Sequence, residues 1–457
     1  MPPAVAYRVI ILLLWALVVL DAAVARGLFW DGASFLANML EFGTFHDFYP
    51  ERSHVDWVTQ APTLLLAEAG VRNTRLLAIV YSASLYAWPA ALYHVALARV
   101  RRDATLMAAV AVALAAVYLP TSFFIVGEYN VAYAAVMAAM AVVVTGGAGR
   151  RRDGVILCAF GALCQASYEA MLYLGPLVAA AILWGLRRAR RAGATDDIGS
   201  LLALLAALTF LSSALVSLQA VVEYWNLDYF VRVRAATFDF WQNLQFVIPF
   251  VGLAILVVVS IVLPRWLERR GPALLLGLVA LLLAATPWLR RLDPEAMLFP
   301  PAHHIARTAA GGLVVAIAIA MWLHVGWRHA GRWGGPPRVL VELRRPEVGR
   351  RLLSAASALL LAAAVPDVAL SRLWVGYLDY FRGLVTGHTG LVRANDLPMR
   401  QWPQRLFSQD WTYPALSALV RSAPGQGIVV MDKDYRSNPP FEPSCGTVPR
   451  LEGYAWR

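Results

Sequence analysis

Apolar residues in this chain come in long unbroken runs, not in the alternating or three-to-four-residue patterns of soluble strands and helices. The first run covers residues 6–24. Further runs cover 75–98, 104–126, 131–145, 154–165, 170–186, 201–221, 245–263, 272–288, 305–325 and 352–365. A hydrocarbon core takes about 20 helical residues to cross. The pattern therefore predicts an all-α polytopic membrane protein with about eleven transmembrane helices. The run 154–165 is short for a crossing, so 154–186 reads either as two spans or as a bent or re-entrant hairpin. Ala23-Val24-Ala25 imitates a signal-peptidase site. The run before it is long and preceded only by Arg8, so a retained span is the preferred reading over cleavage.

The polar residues between runs are sorted by sign. Arg99/Arg101/Arg102, Arg150/Arg151/Arg152, Arg187/Arg188/Arg190/Arg191, Arg265/Arg269/Arg270 and the run 328–351 fall in every second connection. The intervening loops carry Asp31, Glu41, Asp47, Glu51 and Asp56, then Glu128, then Glu169, then Glu223, Asp228 and Asp239. By the positive-inside rule the basic loops and the N-terminus are cytoplasmic. This places the protein in a bacterial inner membrane, with its C-terminus in the periplasm. Residues 1–366 form the transmembrane domain, and 367–457 a small mixed α/β cap resting on it. Gly427-Ile428-Val429-Val430-Met431 reads as a strand and 414–421 as a short helix before a Pro-Gly turn.

Composition sharpens the picture. Of 457 residues, 59% are hydrophobic and only 15% charged, against about a quarter charged in soluble domains. The net charge of +11 does not imply a nucleic-acid partner, because the arginines sit in short loops rather than along one soluble face. Cys158, Cys164 and Cys445 make no disulfide framework and match no metal spacing. The Asp432-Lys433-Asp434 triplet imitates a nucleotide-sugar metal motif. Too little chain follows it for that fold, and a turn with two solvated acids is preferred.

Ionisable residues are scarce in the middle of most runs and gather at their outer ends. A secondary transporter keeps its polar site near the midplane, whereas chemistry on the exported face would collect groups at that boundary. The stretch Phe29-Trp30-Asp31-Gly32-Ala33-Ser34-Phe35-Leu36 puts an acid directly after the first run. About forty residues precede the next full crossing, and within them 57–69 is an amphipathic piece broken by Pro62, suited to the interface. The structural alternative for Asp31 is a cap on a helix beginning at Gly32. Glu128, in Gly127-Glu128-Tyr129-Asn130, and Glu169, in Ser167-Tyr168-Glu169, lie in short outer turns, with solvated turn residues as the alternative. Pro300-Pro301-Ala302-His303-His304-Ile305-Ala306-Arg307-Thr308 places Arg307 just inside an apolar helix, sharing a face with His304 three residues earlier and with His303 four earlier. Arg307 could equally snorkel to headgroups. Arg52 and His54, and Arg232 and Arg234, are further outer-loop candidates, and the aromatics of 223–242 read as an interfacial belt.

The long first span, the Trp30-Asp31-Gly32 triplet and the interfacial piece in the first outer loop resemble the GT-C superfamily of integral-membrane glycosyltransferases, which use polyprenyl-phosphate sugars. The resemblance covers the topology of most of the chain, while its sharp motif is a few residues long. It implies an inverting sugar transfer from a polyprenyl-phosphate donor to a glycan, lipid or protein acceptor. Asp31 would then be the general base and Arg307 a fork on the lipid phosphate. Glu128 and Glu169 would bind sugar hydroxyls, a metal ion or the acceptor, Arg52 and His54 would add to phosphate or acceptor binding, and His303 and His304 would bind substrate, since adjacent helical residues point about 100° apart and are poorly placed to share a metal ion. A divalent cation is left open, because the superfamily includes enzymes with and without one. The rivals are an envelope oligosaccharide polymerase or ligase, and a non-enzymatic flippase or transporter for lipid-linked sugars.

Overall fold

The computed structural model describes residues 2–46, 49–122, 127–146, 148–227, 231, 303–329, 345–394, 397–400, 404, 407–408, 410–430 and 451–457. The runs expected at 245–263 and 272–288, Arg232 and Arg234, the arginines of 265–270, most of the basic run 328–351 and Asp432-Lys433-Asp434 lie outside these residues.

The structure is mostly helical (79%). Its helices are α1 (Pro3–Ala23), α2 (Asp31–Phe42), α3 (Ser53–Glu68), α4 (Thr74–Val100), α5 (Ala104–Thr121), α6 (Glu128–Val144), α7 (Arg151–Gln165), α8 (Met171–Arg191), α9 (Asp197–Glu223), α10 (His303–His329), α11 (Pro346–Gly387) and α12 (Tyr413–Val420). Among the described residues, α1, α4, α5, α9 and α11 are long and apolar enough to cross a membrane. These five make the chain a multi-pass membrane protein, and the expected count of about eleven is not reached within the described residues. At 15 residues, α7 extends only about 22 Å. The 154–186 region is thus a short helix followed by the 21-residue α8.

Helix starts follow local chemistry. Asn73 accepts from the Arg75 and Leu76 amides at 3.0 and 3.3 Å, and Asp103 accepts from the Thr105 and Leu106 amides at 3.0 and 3.1 Å. Two expected boundaries change. The interfacial helix is not broken at Pro62, since α3 continues through it. The Val58 carbonyl that Pro62 cannot satisfy accepts instead from Trp88 Nε1 at 2.9 Å. The last run, expected to end at 365, continues through Pro366 to Gly387, crossing the expected boundary between transmembrane domain and cap.

In the packing, α1 lies against α4 and α11, α4 against α6, α5 against α11, and α9 against α7 and α8. Helix α10 packs on α6 and α5. His324 Nε2 lies 3.3 Å from Asp103 Oδ2, so the later turns of α10 meet the start of α5. Its first residues therefore lie toward the opposite end of the bundle, where α1 ends and α4 and α6 begin.

After α11 come β1 (Leu391–Arg393), α12 and β2 (Ile428–Val430). The strands pair in parallel, with Leu391, Val392 and Arg393 opposite Ile428, Val429 and Val430. The expected helix and second strand are present, and β1 is additional. This region docks on the α3–α4 connection. Thr74 Oγ1 donates to Leu419 O at 2.6 Å, and the amides of Thr74 and Ala455 donate to Ala455 O and Arg72 O at 3.0 Å. Phe29, Trp30, Trp374, Tyr377, Phe381, Phe407 and Tyr413 share one buried cluster here, separate from the bundle core.

Candidate functional site

The turn that presents Asp31 is unusual backbone. Ala25 and Trp30, both at φ 51°, flank the 3-10 turn Arg26–Leu28, and they are the only non-glycine residues with positive φ among those described. A bulky residue adopts that region only where its surroundings enforce it. Enforcement comes from two glycines. The Gly27 amide donates to Ser82 Oγ at 2.9 Å. The chain folds back so tightly that a Cβ on Gly32 would collide with the Gly27 carbonyl oxygen. Asp31 is the first residue of α2, and the cap position belongs to Trp30, which makes no side-chain cap bond. This corrects the capping alternative: Asp31 lies inside the helix. Its Oδ1 accepts from Trp411 Nε1 at 3.0 Å, so the C-terminal region reaches this acid.

Three residues that the sequence placed in separate loops meet at Arg52. Its Nη1 is 3.5 Å from Glu128 Oε1, and its Nε donates to Glu169 Oε1 at 3.2 Å, with Nη2 on the same oxygen. The guanidinium lies 4.3 Å from the Tyr49 ring centroid and 5.3 Å from that of Tyr168. Glu128 is set by Gly127, whose φ of 90° starts α6 at the acid. The side chains of Arg52 and Glu128 are 4% and 2% exposed, while Glu169 reaches 13%. The cluster thus opens toward the surface at Glu169.

Asp31 belongs to the same neighbourhood. Asp56, Glu128 and Asp31 all act electrostatically on the buried Tyr81 hydroxyl, and the Tyr81 ring lies beside Gly32. Asp56 and Glu51 read in the sequence only as topology markers, yet both are buried here. Burial pushes the Glu51 carboxyl above the ordinary carboxylate value. Its own backbone amide and Arg52 oppose that rise, and Glu169 and Glu223 add to it.

His54 does something else. Its Nδ1 donates to Ala162 O at 2.7 Å and its amide to Ala166 O at 3.0 Å, tying α3 to the end of α7. His303, His304 and Arg307 lie in the first turns of α10, placed by backbone alone. One turn beyond Arg307, a Cβ on Gly311 would collide with the Tyr173 and Tyr133 hydroxyls. The Tyr133 ring adjoins those of Tyr129 and Tyr168, which lead back to Arg52. Among the described residues no group of three or more His, Cys, Asp or Glu is placed to hold a metal ion.

A second charged cluster went unread in the sequence. Arg26 Nη1 donates to Asp21 Oδ1 at 2.7 Å and to Ser371 Oγ at 3.0 Å, and Arg26 Nη2 lies 2.8 Å from Asp367 Oδ1. Arg26 sits two residues past the first apolar run and reads as the start of a loop, and Asp367 reads as the start of the tail. The available signal was Asp21, an acid inside an apolar run, which requires an opposite charge nearby.

Comparison with family models, with curated proteins and with solved structures gives no match for this chain. What the fold and the two clusters define is a multi-pass helical membrane protein with a polar site at one end of its bundle.

Proposed function

We propose that this protein transfers a sugar from a polyprenyl-phosphate carrier to an envelope acceptor (a glycan, lipid or protein) at the outer face of a bacterial inner membrane. What supports the reading is Asp31, held on an enforced turn, together with the Arg52–Glu128–Glu169 cluster, whose Glu128 acts with Asp31 on the buried Tyr81 hydroxyl, at one end of an apolar bundle. Asp31 takes the proton of an acceptor hydroxyl as its oxygen bonds to the anomeric carbon, and the carbon–phosphate-oxygen bond breaks with its electron pair leaving on the carrier phosphate. Attack opposite the leaving group inverts the anomeric centre. Glu128 and Glu169 accept hydrogen bonds from sugar or acceptor hydroxyls, with Arg52 orienting them. Arg307, toward the same end on α10, pairs with the carrier phosphate. A divalent cation, if the reaction uses one, would be held by Glu128 and Glu169 and would supply positive charge for the leaving phosphate.

The test is release of carrier phosphate by the purified protein in nanodiscs supplied with polyprenyl-phosphate sugars and candidate acceptors. Wild-type protein should release it. Asp31→Asn, equally folded, should lose about 10²–10⁴-fold in rate. Equal release by the two proteins would overturn the reading.

A further inference from the structure

Four arginines meet around one short stretch of backbone, at the end of the bundle that carries Asp31. The Ala455 amide donates to Arg72 O at 3.0 Å, the Thr74 amide to Ala455 O at 3.0 Å and the Trp456 amide to Arg421 O at 2.7 Å. Arg75 follows in the first turn of α4, its amide donating to Asn73 Oδ1 at 3.0 Å. Arg382, near the end of α11, donates from Nη2 to Ser422 Oγ at 3.3 Å. Arg72 and Arg75 are exposed, and Arg382 and Arg421 are half-buried. Among the described residues, no carboxylate lies within ion-pair distance of any of the four. Glu68, Asp379 and Glu452, the acids on the same elements, are exposed.

Most of the guanidinium donors are unspent. Arg72 uses Nη1 on Ala67 O at 2.7 Å and on Tyr454 OH at 2.9 Å, with the Tyr454 ring centroid 4.7 Å away. Arg382 Nε is buried and has no hydrogen-bond partner. Burial lowers the Arg421 guanidinium from its ordinary value, and no carboxylate offsets it. Like charges gathered this way call for an anion. A lipid headgroup is the simplest candidate, and height argues against it. The bundle core gives way to the second cluster around Asp367 of α11. Arg382 lies fifteen residues further along that helix (367 to 382), about 22 Å, whereas a headgroup layer is roughly 5–8 Å deep. The eight-residue α12, about 12 Å long, separates Arg421 from the turn whose Trp411 meets Asp31, so one oligosaccharide can reach both.

We propose that Arg72, Arg75, Arg382 and Arg421 form a docking surface for an anionic envelope glycan, holding its phosphate or carboxylate groups while its acceptor hydroxyl lies at Asp31. This rests on the transfer reading and narrows its acceptor to a negatively charged glycan. Planar guanidinium forks suit phosphate and carboxylate oxygens, and the Ser422 and Tyr454 hydroxyls beside them add neutral contacts for sugar. Sorting the loops by sign gave this end of the bundle its acidic loops. The four arginines come from three separate segments and become a patch only in the fold.

The test measures binding of phosphorylated dextran to the full chain in phosphatidylcholine nanodiscs, with neutral dextran and polyglutamate as comparisons. No donor is supplied, so docking is read apart from turnover. A failed carrier-release test with binding intact removes the transfer reading, and intact release without binding removes the docking surface. Wild type should bind phosphorylated dextran, release it as salt is raised, and ignore neutral dextran. Arg75→Gln, Arg382→Gln and Arg421→Gln should each weaken binding about twofold to fivefold, and the triple variant about tenfold or more, with melting temperatures near that of wild type. Arg72 is left in place because it also holds Ala67 and Tyr454. Should the triple variant fold poorly, the single variants carry the comparison. Equal binding by wild type and the folded variants overturns the proposal. So does tighter binding of polyglutamate, which marks a protein partner, or binding that depends on phosphatidylglycerol in the disc, which marks a headgroup site.

Discussion

Arg26 and Arg52 each sit between two carboxylates, yet the two clusters differ in nearly everything else. Around Arg26 the partners come from α1 and α11, the Ser371 and Ser122 hydroxyls join them, and no side chain of the ion triad exceeds 4% exposure. Around Arg52 the partners come from helix starts and turns, aromatic rings flank the guanidinium, and Glu169 reaches 13% exposure. Both are charge-assisted networks of similar composition. A sealed network can only join elements, whereas one that opens at its edge, beside an enforced turn carrying a further acid, can also meet a ligand.

Substitutions at the two arginines should separate these roles. Arg26→Leu leaves two acids facing each other in the bundle and should destabilise the fold by about 3–5 kcal/mol, read as a lower denaturation midpoint in detergent. Arg52→Ala should cost less, about 1.5–3 kcal/mol, because Glu169 can turn toward water, and it should lower transfer as well. Unfolding and transfer measured on the same preparation distinguish the two outcomes. Trp411→Phe removes the indole N–H that meets Asp31 Oδ1 and leaves the ring. About 0.5–1.5 kcal/mol of stability should be lost, read as a lower denaturation midpoint, and transfer should slow as the carboxylate loses the donor that orients it. The smallest effect should come from Glu51→Gln. Burial raises the Glu51 carboxyl, so its contribution is present below the unfolded-state value and is lost as pH rises through the folded one. The amide should flatten that decline in a pH series of melting curves.

The legibility of the two clusters follows from the same contrast. Glu128 and Glu169 stood out in the sequence because each is the acid of a short turn between apolar runs, and Asp31 because it follows the first run. The meeting of Glu128 and Glu169 at Arg52 was not legible, because it depends on the folding back of the first outer loop rather than on spacing. Pro62 misled for a related reason: the Val58 carbonyl that it leaves without an amide is satisfied by Trp88, thirty positions along the chain from Val58, which no local pattern records. Asp367 escaped because it follows the last run and reads as the start of the tail, and Asp21, though inside the first run, does not by itself name its partner. Only the packing of α1 against α11 brings both to Arg26. The helical, multi-pass character needed nothing beyond the length of the runs. The extent of α11 did, since Pro366 and Asp367 look like an ending and are instead interior, the acid being paired.

The most direct measurement is specific transfer activity per folded molecule for Arg52→Lys beside Arg26→Lys. A lysine keeps the charge but loses the planar fork that reaches two partners. The account predicts that Arg52→Lys folds well and loses about tenfold or more in activity, while Arg26→Lys folds in lower yield with the activity of each folded molecule unchanged. The opposite pattern, an active Arg52→Lys beside a folded but inactive Arg26→Lys, would contradict it.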